Sequence, residues 1–193
     1  MHKLSIDDLY SLEDYARLRP DFRARVMEHK QHRKLTLGDH LTLLFEDRLT
    51  MQYQIQEMLR AERIFEQAGI LEELEAYNPL IPDGDNFKAT MMIEYPDASE
   101  RRDALRRLVG IENDVWMQID GFEPVFASAD EDLERSTDDK TSAVHFLCFE
   151  LEPEQIEALK DGAGLSAGCR HPEYTVAVDV PEVTRESLLA DLE

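Results

Sequence analysis

The run Ala143-Val-His-Phe-Leu-Cys-Phe-Glu-Leu151 carries the strongest structural signal in this sequence of 193 residues. Its apolar residues stand at positions that point to both sides of an extended chain, which is typical of a strand inside a sheet. Shorter stretches with the alternation of antiparallel strands surround this run, at residues 87–95, 115–119, 124–127, 164–169 and 174–178. We therefore predict a sheet in which residues 143–151 form a central strand.

The first part of the chain is predicted to be mainly helical. Two Ser-x-x-acid patterns begin helices at Ser5 and Ser11, and Pro20 suits the first turn of a further helix. A long helix is predicted from Asp47 to Ala68, because apolar residues recur at helical spacing and Gly69 is a natural stop. The remaining elements of this part are a hairpin and a short helix, at residues 33–45 and 70–77.

The order of these elements predicts one α+β domain over residues 1–193. Helices cluster in the N-terminal part at residues 1–77, of which the first 63 are charge-neutral, and the acidic part at residues 87–193 is rich in strands. The whole chain is expected to form a largely antiparallel sheet of about seven strands. No fixed-period repeat and no dividing linker is present. Further short elements are expected between the strands: helices at residues 99–109, 153–160 and from 182 onward, and a helix or exposed loop at 130–140.

The composition is strongly acidic, with 42 Asp and Glu against 21 Lys and Arg. The first 63 residues hold 11 of each sign, so the whole net charge of −21 lies in the remainder of the chain. Such an excess of acid argues against binding to nucleic acid or to an anionic membrane surface. No apolar run approaches the roughly 20 residues of a membrane span. The two cysteines cannot form a disulfide framework, so we predict a cytoplasmic protein.

One basic stretch interrupts this acidic chain between Arg17 and Lys34, where only Asp21 and Glu28 oppose the positive side chains. A surface of this kind suits docking to an acidic partner or to an anionic ligand. Alternatively, the basic helix lies on the acidic body of its own chain, which requires no partner. The candidate docking residues are Arg17, Arg23, Arg25, Lys30 and Arg33.

Three histidines are the candidate metal ligands. His29 and His32 stand three residues apart on a predicted helix, and His40 follows in the hairpin. Three neutral imidazoles can hold a transition metal ion with one open position. The surrounding Arg and Lys side chains repel a cation, however, and histidines near the end of a helix also stabilise its dipole. We therefore predict no metal and no other cofactor.

The polar run along the long predicted helix is a candidate ligand pocket. Arg and Gln side chains offer paired hydrogen bonds to carboxylate, phosphate or amide groups. The turn-rich loop at residues 78–86 can present Asn and Asp side chains to the same ligand. The alternatives are a solvated helix face and a tight connection that uses its Asx residues for turns. The candidate pocket residues are Arg48, Gln54, Glu57, Arg60, Asn78, Asp83 and Asn86.

The sequence lacks recognisable catalytic motifs. It has no glycine-rich nucleotide loop, no Gly-x-Ser-x-Gly, no His-Glu-x-x-His and no Cys-x-x-Cys. The one arrangement that suggests a reactive thiol is Cys169-Arg170-His171, but neighbours in a strand point to opposite faces. Cys148 lies in the central strand and is predicted to be buried packing. A non-enzymatic role is therefore favoured, and the redox state of the two cysteines is left open.

Several segments of the chain together resemble a known family: Leu44-Phe-Glu-Asp-Arg-Leu-Thr-Met-Gln-Tyr-Gln-Ile-Gln-Glu-Met-Leu-Arg60, Ala76-Tyr-Asn-Pro-Leu-Ile-Pro-Asp-Gly84, Lys140-Thr-Ser-Ala-Val-His-Phe146 and His171-Pro172. They are similar to the bacterial domain of unknown function 3501 over the whole chain, whereas the Cys169-Arg170 pair has no match there. Members tend to be encoded beside a rubrerythrin-like protein and an iron–sulfur oxidoreductase of the heterodisulfide-reductase kind. The resemblance therefore implies a role in peroxide or redox defence, without an established activity.

Two functional hypotheses follow. The first is a soluble accessory protein that docks with rubrerythrin-like or iron–sulfur partners through the basic stretch, the partners supplying the iron. The second is a small-molecule-binding protein, or a small enzyme, with a polar pocket between the long helix and the loop Asn78–Asn86. The hypotheses differ in whether the polar side chains of that helix converge on a cavity. Neither hypothesis specifies an oligomeric state.

Overall fold

The computed structural model describes residues 2–129 and 140–193, so the stretch predicted as an acidic helix or loop at 130–139 lies outside the described residues. Within them, no helix is both long and apolar enough to cross a membrane. The helices are α1 (Leu12–Gln31), α2 (Arg48–Glu62), α3 (Gln67–Tyr77), α4 (Ala98–Arg107), α5 (Pro153–Lys160) and α6 (Glu182–Leu189). The strands are β1 (Lys34–Leu37), β2 (Leu41–Glu46), β3 (Asn86–Ile93), β4 (Val115–Ile119), β5 (Val125–Phe126), β6 (Ser128–Ala129), β7 (Val144–Glu150), β8 (Leu165–His171) and β9 (Tyr174–Asp179).

The described strands pair in two antiparallel sheets, and the predicted α+β class is confirmed. Sheet A has the order β1-β2-β3-β7-β6, and sheet B has the order β5-β4-β8-β9. The sequence predicted one sheet of about seven strands, whereas the described strands number nine and divide between two sheets. Alternation along the chain locates a strand and its buried face, but it does not specify the partner of that strand.

Residues 124–127, predicted as a single strand, form part of the passage between the two sheets. Val125–Phe126 pair with β4 in sheet B, and Ser128–Ala129 pair with β7 in sheet A. Between them, the Ala127 N–H donates to the Val115 carbonyl oxygen at 2.9 Å. Two very short strands therefore replace the longer strand that the alternation predicts.

The main core lies between the inner faces of the two sheets. The strand β7 lies between β3 and β6, in the interior of sheet A as predicted. Its buried residues belong to this core, whereas Phe146 and Cys148 are half-buried on the opposite face. The core side chains that are fully or almost fully buried include Leu43, Phe45, Met91, Phe149, Val115, Met117, Ala167 and Cys169.

Tyr174 of β9 joins the hairpin β1–β2 to sheet B. Its hydroxyl donates to the Leu37 carbonyl oxygen at 2.7 Å and accepts from the His40 N–H at 3.0 Å. Gly38 has a φ of 66° in the hairpin turn, and a Cβ there would lie 2.7 Å from Tyr174 Oη. The left-handed backbone and the close hydroxyl both favour glycine at this position.

Helices α1, α2 and α3 form a layer on the side of sheet A that faces away from the main core. The Thr50 hydroxyl of α2 contacts the outward-facing Glu46 at 2.6 Å. Aromatic and aliphatic residues join α1 to α2, namely Tyr15, Phe22, Val26 and Tyr53. A second cluster joins α2, α3 and the N-terminal segment, namely Leu4, Met51, Ile55, Leu59, Leu74 and Ile81.

Pro20 lies inside α1, which is one helix of 20 residues and not two. A proline in a helix interior removes one backbone hydrogen bond and crowds the preceding turn. Pro20 faces solvent, while Tyr15 and Phe22 on either side of it are buried. The packing of these aromatic side chains offsets the local cost, which a sequence pattern cannot weigh.

Helix α2 ends at Glu62, earlier than predicted, because Arg63 adopts the left-handed conformation with a φ of 57°. The Ile64 N–H then donates to the Leu59 carbonyl oxygen at 2.9 Å. Gly69, the predicted stop, lies inside α3, where a Cβ would lie 2.7 Å from Ile64 Cγ2. Because Gly69 has no side chain, Ile64 in the connection between α2 and α3 packs closely against α3. Gly69 therefore does not end a helix.

Candidate functional site

The polar face of α2 binds the N-terminal segment of the chain. Arg48 pairs with the Asp8 carboxylate, and the Gln52 amide donates to the Asp8 carbonyl oxygen at 2.6 Å. The buried Gln56 side chain accepts from the Tyr10 N–H at 2.6 Å and donates to the Tyr10 carbonyl oxygen at 3.3 Å. These side chains satisfy backbone groups of a segment that has no neighbouring strand.

The residues after α3 continue this contact. Asn78 accepts from the Leu4 N–H at 2.8 Å and donates to the Leu4 carbonyl oxygen at 2.9 Å. Lys3 Nζ lies 2.6 Å from the Ile81 carbonyl oxygen and 2.6 Å from Asp83 Oδ1. The loop therefore binds the N-terminal segment of its own chain.

Asn86 and Asp83 stabilise the turn that precedes β3. Asn86 Oδ1 accepts from the Asp83 N–H at 3.1 Å, and Asn86 Nδ2 donates to Asp83 Oδ2 at 3.2 Å. Lys88 Nζ lies 2.9 Å from the same carboxylate oxygen. These are the Asx contacts that a tight connection requires, which was the alternative interpretation of this loop.

Glu57 is enclosed by side chains of α1. Arg19 donates two hydrogen bonds of 2.7 Å to its carboxylate, and the buried Tyr15 hydroxyl donates a third of 2.7 Å. The Arg19 hydrogen bonds lower the pKa of Glu57 from 4.5 to about 2. Of the other candidate pocket residues on α2, Gln54 is half-buried and Arg60 is exposed.

Five of the seven predicted pocket residues bond to other groups of the protein, namely Arg48, Glu57, Asn78, Asp83 and Asn86. Their hydrogen-bonding groups therefore have partners within the described part of the chain. Arg and Gln side chains make the same paired bonds to a ligand and to a backbone segment. Their spacing alone could not distinguish the two.

The structure divides the basic stretch into outward and inward side chains. Arg17, Arg23 and Arg25 are exposed on α1, and Lys30 is half-buried near its end. Arg33 is only 1% exposed. Its inclusion among the docking residues is therefore corrected, because a buried guanidinium cannot contact a partner.

Arg33 lies at the centre of a buried polar network between β2, α2 and α6. Its guanidinium donates hydrogen bonds of 3.0 Å to the carbonyl oxygens of Phe45, Glu46 and Ser187. It also pairs with the Asp191 carboxylate, which is equally buried. The intramolecular interpretation of the basic stretch thus holds for this arginine.

Two carboxylates with opposite pKa shifts belong to this network. Asp47 lies 2.5 Å from His29 Nε2 and 3.6 Å from Arg33 Nε. Burial raises the pKa of Asp191 to about 6, although the Arg33 charge opposes this. Burial also favours a higher pKa for Asp47. The Arg33 charge and the hydrogen bond from the Thr50 N–H outweigh this effect and together hold its pKa below the ordinary value. The network fixes α6 to the rest of the fold.

The three candidate metal-binding histidines do not meet. His29 contacts Asp47, His32 is exposed at the end of α1, and His40 lies in the turn between β1 and β2 at one end of sheet A. Within residues 2–129 and 140–193, no group of three or more His, Cys, Asp and Glu is placed to hold a metal ion.

The two cysteines are free and belong to different sheets. Cys148 Sγ donates to Glu150 Oε1 at 2.9 Å, and burial together with this carboxylate raises the pKa of Cys148 to about 12. Burial also raises the pKa of Cys169. The Arg170 guanidinium lies 3.7 Å from the centre of the Phe126 ring. Both cysteines are therefore in surroundings that disfavour a thiolate.

An open groove of about 730 Å³ lies at one end of sheet A. Met92 of β3 and Val144 of β7 contribute an apolar floor. Its other lining residues come from three connected regions: His40 from the hairpin, Tyr95 from the chain after β3, and Arg101 from α4. The groove combines an apolar surface, two rings and a cationic side chain.

His40 is fixed in the groove by two contacts. Its ring stacks on Tyr95, with centroids 3.8 Å apart and planes at 15°. His40 Nδ1 lies 3.0 Å from the Glu94 carbonyl oxygen. A carbonyl oxygen only accepts, so Nδ1 carries the hydrogen and Nε2 of the neutral ring is an acceptor. The Glu94 carboxylate accepts from the Thr42 hydroxyl at 2.6 Å.

His40 is a candidate metal ligand from its sequence context, whereas no sequence pattern pointed to Tyr95 or Arg101 as residues of a site. The pairing of β2 with β3 brings these residues together, and at the end of that pairing the Glu94 N–H donates to the His40 carbonyl oxygen at 2.8 Å. The one available signal was that His40 and Tyr95 both flank predicted strands. That signal becomes useful only when the pairing is known.

The fold and these contacts define an α+β protein with two packed antiparallel sheets and a helical layer that binds the N-terminal segment of the chain. The chain belongs to the family described as protein of unknown function (DUF3501), whose model matches residues 3–192. It is similar to the crystal structure, at 1.90 Å resolution, of a protein of unknown function from Burkholderia pseudomallei, with 52% identity, a TM-score of 0.95 and 100% of each chain covered. No curated protein matches this chain.

Proposed function

We propose that this protein is an accessory protein that docks with an acidic partner through the exposed side of α1. One observation carries the proposal. Arg23 and Arg25 are exposed, and neither forms an ion pair with any residue in the described part of the chain. A chain with a net charge of −21 thus keeps two unneutralised cations on the exposed part of this helix.

The basic helix surface consists of four side chains, Arg17, Arg23, Arg25 and Lys30. Its end nearest the start of α1 is partly neutralised, because Arg17 pairs with the exposed Asp14. Such exposed pairs contribute little energy, so Arg17 remains available to another carboxylate. Arg25 lies with its guanidinium carbon 5.0 Å from the centre of the Phe22 ring, which holds this cation against the helix.

The intramolecular alternative accounts for other arginines of the stretch. Arg19 is matched by Glu57, and Arg33 by Asp191. The chain therefore pairs Arg19 and Arg33 with carboxylates of its own body, whereas the outward-pointing Arg23 and Arg25 have no ion pair in the described residues. Outward-facing charge increases the rate and the selectivity of association with a surface of opposite sign.

As partners we propose a rubrerythrin-like protein and an iron–sulfur oxidoreductase, the two classes of redox protein that the family resemblance implies. In this role the partner carries the iron and performs the electron transfer, and the present chain binds it. The family resemblance supports the choice of partners, and the charge of α1 supports the choice of surface.

The proposal is tested by reversing charge on α1 and measuring capture of the two purified redox proteins. Arg23→Glu/Arg25→Glu should weaken capture by about tenfold or more, since two attractive contacts become repulsive. Arg102→Glu/Arg106→Glu is the matched control, because it changes the net charge equally on the exposed part of α4. Capture that is unchanged in the first variant, or weakened equally in both, would reject α1 as the contact.

A further inference from the structure

We propose that the groove beside His40 binds a small monocarboxylate with an aromatic body. This inference is independent of the docking role, because the groove lies at the end of sheet A and the basic helix surface lies on α1. Its volume of about 730 Å³ falls within the range of small-molecule sites.

The aromatic body is inferred from the rings and the floor. The stacked pair of His40 and Tyr95, with centroids 3.8 Å apart, presents planar surface at the groove wall. Met92 and Val144 add apolar surface at the floor, and a methionine sulfur also favours aromatic contact. His40 is held by Glu94, so the stack is formed before a ligand arrives.

The carboxylate is inferred from Arg101. In the described part of the chain its guanidinium has one hydrogen bond, to the Tyr95 carbonyl oxygen at 3.5 Å, which is long. Most of its donors are therefore available, and their planar fork matches a carboxylate. The same groove is lined by Asp39 and Glu94, whose negative charge opposes every anion and opposes a dianion such as a phosphate monoester more strongly than a monoanion. Among anions, one with a single negative charge is therefore the better match for Arg101.

The experiment is a titration of protein labelled with ¹³C at the methionine methyl groups, with phenylacetate as the probe. Met92 lines the groove, and its signal is assigned with Met92→Leu. The Met92 signal should shift saturably with phenylacetate. Phenylacetamide, which lacks the charge, and acetate, which lacks the ring, should each bind at least about tenfold more weakly.

Variants connect the binding to the proposed contact. Arg101→Gln should weaken phenylacetate binding by about tenfold, whereas Arg102→Gln, the neighbouring exposed arginine outside the groove lining, should leave it unchanged. The remaining methionine signals report whether each variant is folded. If Arg101→Gln does not fold, the comparison of phenylacetate with phenylacetamide on the parent protein still tests the charge requirement.

Three results would overturn the inference. The first is a Met92 signal that does not move at any soluble concentration of phenylacetate. The second is equal binding of phenylacetate and its amide, which would remove the role of Arg101. The third is phenyl phosphate binding as tightly as phenylacetate, which would contradict the monocarboxylate preference.

Discussion

Glu57 shows at the residue scale how the helical layer uses charge. It was a candidate ligand-binding residue, yet its carboxylate receives hydrogen bonds from Arg19 and from the buried Tyr15 hydroxyl. Three short hydrogen bonds around one carboxylate favour its charged form. The stability of the contact between α1 and α2 should therefore depend on the ionisation of this one group.

Glu57→Gln should lower the free energy of unfolding by about 1.5–3 kcal/mol at neutral pH, because a charge-assisted contact becomes a neutral one. The folded-state pKa of Glu57 is lowered from 4.5 to about 2. Its stabilisation is thus present above pH 4.5 and is lost as the pH falls through 2. Urea unfolding across this range should show a weaker loss of stability for the variant than for the parent. Glu62→Gln, exposed on the same helix, is the control, and equal pH dependence of the two variants would contradict this account.

At the scale of elements, the Arg33 network attaches α6 to β2. This helix is short, and its attachment includes the buried pair of Arg33 and Asp191 near its end. A buried guanidinium and carboxylate each carry a large desolvation cost, so each requires the other.

Arg33→Met should lower the free energy of unfolding by about 3–5 kcal/mol, because it leaves Asp191 buried without its cation. Replacing both partners, as Arg33→Met/Asp191→Leu, should recover a large part of this loss, which urea unfolding measures. Arg106→Met removes the pair with Asp103 on α4, in which both side chains are exposed, and should cost less than about 1 kcal/mol. A double variant no more stable than Arg33→Met would show that the pair is not the source of the effect.

Sheet B depends in a similar way on one small residue of β8. A Cβ at Gly168 would collide with the Val176 carbonyl oxygen of β9 and with the Trp116 ring of β4. Gly168→Ala should therefore lower the free energy of unfolding by about 1–3 kcal/mol. It should also change the fluorescence of Trp116, which is the single tryptophan of the chain. Ser166→Ala on the same strand is the control, and a Gly168→Ala protein with parental stability and emission would refute this packing.

At the scale of the whole molecule, local patterns predicted the elements better than their assembly. A run that is apolar on both faces located β7 in the interior of a sheet, and the Gly38 turn indicated the first hairpin. The same patterns could not separate two sheets, because strand partners are distant in sequence. They also could not show that Arg33 is buried or that Arg101 lines the same groove as His40, since both facts depend on tertiary packing.

Charge at this scale motivates the proposed docking. The chain is acidic overall, and its inward-facing basic residues Arg19 and Arg33 are matched by its own carboxylates. The outward cations Arg23 and Arg25 have no ion pair in the described part of the chain, and the proposed docking uses them. Because exposed charges are screened by salt, an association through them should weaken as ionic strength rises.

Hydrogen exchange of the protein, alone and mixed with the purified rubrerythrin-like protein or the iron–sulfur oxidoreductase, tests the docking proposal most directly. We predict slower exchange in peptides from α1, Leu12–Gln31, and unchanged exchange in α4, Ala98–Arg107, with the protection lost in Arg23→Glu/Arg25→Glu. Protection confined to other elements, or no protection with either partner, would contradict the proposal that this protein docks through its basic helix surface.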